Sequence, residues 1–217
     1  MVKIKVCGVR SPEDAVACAE LGVDTLGLNF WPGTARCVDI ETAKRIGAAV
    51  AGRVELVAVF VDADDEAIRA VRDATGIEWV QLHGSEPPAR VAALSPRAYK
   101  AIRVGTASVR ELSRRYPGER ILLDAAVPGV MPGGTGHVFD WALAAEIAEE
   151  RPLVLAGGLR PANVGDAIRA VRPFQVDVAS GVEKAPGVKD LDAVRAFVEA
   201  VRAVAPRFTS GSSAGSA

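Results

Sequence analysis

The chain has 217 residues, 49% of them apolar, and a formal net charge of −1, the composition of one ordinary globular domain with a sizeable core. So balanced a charge, with no Lys/Arg cluster interleaved with aromatics, offers no field for gripping a nucleic-acid backbone, and no apolar run approaches the roughly 18 residues of a bilayer span. The opening MVKIKV has neither the apolar core nor the cleavage site of a signal peptide, so the expectation is a soluble, cytoplasmic protein with no nucleic-acid and no membrane partner.

The first unit sets a pattern. KIKVC (residues 3–7) is short and β-branched, as a buried strand should be, and SPEDAVACAELG (11–22) supplies helix signals in order: Ser11 to cap, Pro12 in the first turn, Glu13 and Asp14 at the positive end of the dipole, Gly22 to stop. VDTLGLNF (23–30) predicts a second strand, followed by the loop WPGTARCVD and a helix over IETAKRIGAAV. The alternation continues with VELVAVFV and ADDEAIRAVRDAT, IEWVQLH and EPPARVAALS, AYKAIRV and SVRELSRRY. It finishes with RILLD, a glycine-rich loop and FDWALAAEIAEE, then PLVLAG with RPANVGDAIRAV, and FQVDVAS with KDLDAVRAFVEAVRAV.

Strands apolar along their length belong to sheets covered on both faces, and strand–helix alternation implies parallel pairing through right-handed crossovers. An open doubly wound sheet would have fewer strands and often a Gly-x-Gly-x-x-Gly after the first, which CGVRSP does not provide. Eight units in about 200 residues instead predict an α/β fold that is a single (β/α)8 TIM barrel. It is expected to occupy residues 1–207, with residues 208–217 a disordered tail.

Such barrels place chemistry at the carboxyl ends of the strands. Those positions are Cys7, Asn29, Asp62, His83, Arg103, Asp124, Gly157 with Gly158, and Ser180 with Gly181. The last four are small residues in the loops after strands seven and eight, where backbone N–H groups of this fold commonly meet phosphate, so a phosphorylated small molecule is implied. A free cysteine is most often a small buried hydrophobe, the expected role of Cys18, but Cys7 at the catalytic face has the option of acting as base or nucleophile. Asp124 has the bland alternative of a turn or capping residue; ILLD carries it to the barrel mouth, and the loop after it, AAVPGVMPGGTGH, has the look of a flexible cover. The three cysteines, Cys7, Cys18 and Cys37, and two histidines, His83 and His137, show no disulfide or metal spacing, and both histidines are expected to be structural or peripheral.

With those residues in view, the sequence resembles the phosphoribosylanthranilate isomerase family. KVCGVRSPEDA, LNFWPGTARCV, VQLHG, ILLDAAVPGVMPGGTGHVFDW, LVLAGGLRPANV and VDVASGVEKAPGVKD carry the likeness in order along nearly the whole chain. The resemblance implies an Amadori rearrangement of N-(5'-phosphoribosyl)anthranilate in tryptophan biosynthesis, with no cofactor and no metal. It further implies that Asp124 is the general acid, Cys7 the general base, and Arg36 the partner of the anthranilate carboxylate. Gly157, Gly158, Ser180 and Gly181 correspond to the phosphate positions. The family often has an aromatic after that arginine, where this chain has Cys37. The implied partner is the small phosphoribosyl substrate, and the assembly a monomer or homodimer.

Three alternatives stay open at this point: a histidine-pathway or bifunctional aminoribose isomerase, another phosphate-binding barrel such as a lyase or epimerase, and a non-catalytic barrel that binds phosphorylated metabolites. Against the first stands Cys7 where a carboxylate would be expected. Against the second stands the lack of metal ligands or a strand-end Schiff-base lysine. The joint presence of Cys7, Asp124 and Arg36 speaks against the third.

Overall fold

The computed structural model describes residues 1–104, 109–124 and 141–204. In chain order these form β1 (Lys3–Cys7), α1 (Pro12–Glu20), β2 (Thr25–Asn29), α2 (Ile40–Ala49), β3 (Glu55–Phe60), α3 (Asp65–Thr75), β4 (Trp79–Leu82), α4 (Pro88–Leu94), β5 (Ala98–Arg103) and α5 (Val109–Arg115). There follow β6 (Ile121–Asp124), α6 (Trp141–Glu150), β7 (Leu153–Ala156), α7 (Val164–Val171), β8 (Gln175–Val178), a 3-10 turn (Ser180–Val182), the hairpin β9 (Glu183–Ala185) and β10 (Val188–Lys189), and α8 (Leu191–Ala203). Strands β1 to β8 pair in sequence order, and β8 returns to β1 to close a parallel barrel.

Helix starts follow the side chains ahead of them. Ser11 Oγ accepts from Asp14 N at 3.1 Å, Asp39 from Thr42 N at 2.7 Å and Asp64 from Ala67 N at 2.7 Å; each such cap is worth about 1 kcal/mol. On the strands, alternate residues face opposite ways. Outward residues such as Ile4, Val6, Leu26, Leu28, Leu123 and Val176 are buried against the helices in the larger core. Inward residues Val57, Val59, Trp79, Tyr99, Leu122 and Val154 form a second core inside the barrel, with Cys7 packed on it.

The interior is not apolar throughout, which corrects the reading of these strands as apolar along their length. Lys5, Gln81 and Asp177 lie buried in the barrel, and below them Arg120 reaches Glu55 at 3.0 Å while lying 3.6 Å over the Trp79 ring. Burial of these charges is tolerated because each meets an opposite charge or an aromatic face. The predicted tail, 208–217, lies outside the described residues.

Candidate active site

The seven residues singled out from the sequence, Cys7, Asp124, Arg36, Gly157, Gly158, Ser180 and Gly181, all line one cleft of about 300 Å³ at the carboxyl ends of the strands. Strand parity makes this possible. On β1, residues 3, 5 and 7 point inward, which sets Cys7 directly above Lys5; on β4, Gln81 points inward and His83 follows it just past the strand.

At the thiol end, burial pushes the Cys7 thiol above its ordinary range, and Lys5 and Lys189 pull it back while Asp177 adds to the rise. Lys189, on β10, donates to the Cys7 carbonyl at 2.6 Å and to Glu183 Oε1 at 2.9 Å. The thiol end of the cleft is therefore anchored to a hairpin whose last residue, Lys189, was expected to open the final helix.

At the other wall, Asp124 ends β6 with its side chain 21% exposed, and His83 Nε2 lies 3.2 Å from its Oδ2. His83 is thus a cleft residue touching the candidate acid, which corrects its expected peripheral place. The network behind it fixes its tautomer. Gln81 Oε1 accepts from Lys5 Nζ at 3.0 Å and from the Tyr99 hydroxyl at 2.9 Å, so the amide nitrogen of Gln81 must be the atom that faces His83 Nδ1 at 2.9 Å. Nδ1 then accepts, and the neutral ring carries its proton on Nε2, aimed at Asp124. His83 Nε2–H therefore donates toward Asp124 Oδ2.

Arg36 stands in the loop after β2, and Gly8 makes room for it: a Cβ at Gly8 would come within 2.6 Å of Arg36 Cδ. Its guanidinium meets Glu183 through two contacts, Nε to Oε1 at 2.9 Å and Nη2 to Oε2 at 2.6 Å. Burial alone would raise the Glu183 carboxyl, but hydrogen bonds from Arg36 and Lys189 outweigh it and hold the group below its usual range. A guanidinium has five N–H donors, so donors remain for a second carboxylate in the cleft. Cys37 causes no disruption beside it: its backbone bridges to Asn29, and Val38 N donates to Asn29 O at 2.8 Å.

The opposite end is built from backbone. Gly157 and Gly158 adopt φ of 93° and 62°, left-handed conformations that residues with a Cβ resist, and both line the cleft. Asn163 braces the turn by donating from Nδ2 to Gly158 O at 3.0 Å while its Oδ1 accepts from Arg160 N at 2.8 Å. That bracing also explains why α7 starts at Val164 and not at Arg160. Ser180 and Gly181 complete this end from the turn after β8.

The remaining strand-end positions divide. Asn29 and Arg103 line the cleft. Asp62 does not; at φ 49° it turns to accept from Ser85 N at 2.6 Å, a brace between the β3 and β4 loops. His137 and the expected cover AAVPGVMPGGTGH lie outside the described residues. Reading by strand ends alone missed Lys5, Gln81, Asp177, Glu183 and Lys189. For the first three the available signal was parity, polar residues on the inward face of a strand, with Lys5 and Gln81 each two positions before a strand-end candidate. Among the described residues no three His, Cys, Asp or Glu side chains are grouped to hold a metal ion.

The arrangement offers one carboxyl with a hydrogen-bond donor at its back, one thiol flanked by lysines, the Arg36 guanidinium at one end and a turn of small residues at the other. Residues 4–200 match the family of N-(5'-phosphoribosyl)anthranilate (PRA) isomerase. The N-(5'-phosphoribosyl)anthranilate isomerase of Myxococcus xanthus is 46% identical over 94% of this chain and 97% of its own, and that of a Roseiflexus strain is 46% identical over 94% and 100%. Among solved structures, phosphoribosyl anthranilate isomerase from Thermotoga maritima superposes with a TM-score of 0.82 at 38% identity, covering 94% of this chain and all of that one. An isomerase of the same name in complex with reduced 1-(o-carboxyphenylamino)-1-deoxyribulose 5-phosphate superposes at 0.80 with 36% identity and the same coverage. A further match, at 0.77 and 37% identity over 94% and 100%, describes monomers generated from the dimeric Thermotoga maritima isomerase.

Proposed function

The chain belongs to the N-(5'-phosphoribosyl)anthranilate isomerase family and is an isomerase of tryptophan biosynthesis, and on that premise we propose that Cys7 and Asp124 carry its two proton transfers. The substrate is N-(5'-phosphoribosyl)anthranilate, and the product is 1-(2-carboxyphenylamino)-1-deoxyribulose 5-phosphate. The phosphate sits against the backbone of Gly157, Gly158, Ser180 and Gly181, and the anthranilate carboxylate against the free donors of Arg36. Held at both ends, the ribose lies between the thiol and the carboxyl.

Asp124, protonated, gives its proton to the ribose ring oxygen; the bond from that oxygen to C1′ breaks, and the nitrogen lone pair forms the iminium. The Cys7 thiolate then removes the C2′ proton, and the electron pair flows back to nitrogen to give an enolamine. Loss of the enol proton and protonation at C1′ yield the ketone, so the product is an isomer and no electrons enter or leave. The roles require opposite proton affinities in one cleft. His83 serves the Asp124 carboxylate once formed, and cations beside Cys7 serve the thiolate. No cofactor or metal has a part in these steps.

The observation that carries this reading is that Cys7 and Asp124, 117 positions apart in the sequence, line the same cleft as the anion-binding glycines. Purified protein mixed with freshly formed phosphoribosylanthranilate should quench its anthranilate-type fluorescence well above the buffer rate; a rate equal to buffer would favour a barrel that only binds the metabolite. We place the protein in the cytoplasm as a monomer or homodimer that engages neither nucleic acid nor membrane. Among the described residues no helix is long and apolar enough to cross a membrane. Sedimentation as a species heavier than two chains would contradict the assembly proposed.

A further inference from the structure

Lys5 is a charged group with no exposure at all: its side chain is 0% accessible, on the inward face of β1 two residues before Cys7. A buried ammonium is disfavoured unless opposite charge and hydrogen bonds compensate it. Nζ donates to Asp177 Oδ2 at 2.7 Å and to Gln81 Oε1 at 3.0 Å, which leaves one of the three N–H donors of an ammonium group, and the Cys7 sulfur is close enough to feel its charge. Burial is the largest single influence and would lower the Lys5 ammonium, but Asp177, Cys7 and Tyr99 together outweigh it and the group is held above its usual range, so it stays charged. The neighbouring strand leaves space for this contact. Gly27 of β2 pairs with Cys7, and a Cβ there would come within 2.8 Å of Cys7 Sγ and 3.2 Å of Lys5 Cε.

We propose that Lys5 is a positioning residue for the catalytic thiol: its ammonium holds Cys7 Sγ against the bare stretch of β2 and favours thiolate over thiol. The inference rests on the reading of Cys7 as the base and supplies what that reading lacks, a reason for a buried thiol to ionise. Other charged and titratable groups also face Cys7. Asp177 approaches from β8, Lys189 from β10, Arg36 from the loop after β2 with Glu183 bound to it, and Tyr99 from β5, while Asp124 and His83 stand across the cleft. Lys189 is spent on the Cys7 carbonyl and Glu183, whereas the Lys5 side chain lies beside the sulfur at Gly27 and its charge is the largest pull toward thiolate. Asp177 opposes the thiolate, yet its Oδ1 is buried and has no hydrogen-bond partner among the described residues; its role toward Cys7 is to keep Lys5 charged.

The test is a titration of Cys7 by its pH-dependent alkylation with iodoacetamide, in full-length protein carrying Cys18→Ala and Cys37→Ser so that one thiol remains. Lys5→Met combined with Asp177→Asn removes a cation and an anion together and leaves no unpaired buried charge. The alkylation midpoint should rise by about one pH unit or more, a roughly tenfold loss of thiolate at neutral pH. kcat/KM should fall by a similar factor and recover as pH is raised. An unchanged or lowered midpoint overturns the proposal. Should that pair fail to fold, Lys5→Gln combined with Asp177→Asn, which keeps a hydrogen-bonding side chain at each position, decides: the midpoint should again rise, and an unchanged or lowered one overturns the proposal. Full turnover by Cys7→Ser would instead defeat the reading of Cys7 as base while leaving the titration result standing, so the two failures are separable.

Discussion

Arg36 already holds a carboxylate, that of Glu183, in a two-point contact, so in the proposed binding mode the substrate's carboxylate shares a guanidinium whose orientation is set from behind. Replacing Arg36 by Met removes a charge-assisted pair worth about 1.5–3 kcal/mol and should raise KM by one to two orders of magnitude with a smaller change in kcat. Glu183→Gln should raise KM less, about tenfold, because Arg36 keeps its charge and loses its anchor. Steady-state kinetics on both variants checks the order. The pH dependence has a definite sign. Glu183 is depressed in the folded chain, so its contribution to stability is present above the unfolded carboxyl value near 4.3 and drains away as pH falls through the lower folded value. The difference in Tm between the wild type and Glu183→Gln should therefore be largest near neutrality and shrink below about pH 4; a difference that grows in acid would contradict the cluster. Cys7 and Asp124 were legible in the sequence as strand ends, and Arg36 through the family likeness of the loop that carries it. Glu183 was not, because its meaning depends on an arginine 147 positions away.

At the scale of elements, the placing of strands and helices followed from apolar runs and caps, and the departures have local causes. The predicted helix over 160–171 begins at Val164 because Asn163 spends its side chain on the glycine turn. The hairpin β9–β10 escaped notice because its two short strands, EKA and VK, carry too little apolar alternation to signal a sheet. It holds Lys189 under Cys7, so this short element matters to the site more than its length suggests. The pairing of β1 with β2 gives a sharper prediction. Gly27→Ala would set a methyl 2.8 Å from Cys7 Sγ and 3.2 Å from Cys7 Cα, closer than such atoms approach, while the outward face of β2 stays in the main core. Turnover should fall at least about tenfold through the displaced thiol, the order of a lost acid–base contribution, with the barrel still folded by circular dichroism. Native turnover would mean that the sulfur is not held there.

For the whole molecule, barrel closure converts distant sequence positions into neighbours. The alternation of eight strands with eight helices was enough to predict the closed sheet, because parallel pairing through short crossovers leaves few other arrangements. What the strands enclose was harder to foresee. Lys5 and Asp177 stand 172 positions apart, and Lys5 and Gln81 are 76 apart; each looks like an isolated polar residue in an apolar run until the ring closes and they meet. The polar layer lies directly beneath the cleft. Within it Lys5 lies beside Cys7, and a hydrogen-bonded path runs from Lys5 through Gln81 and His83 to Asp124, so the two groups proposed to move protons stand over one buried network. The most direct measurement is turnover of phosphoribosylanthranilate by Cys7→Ser and Asp124→Asn, each verified as folded, against the wild type at neutral pH. Each should lose at least about a hundredfold in kcat, and near-native kcat in either variant would contradict the account.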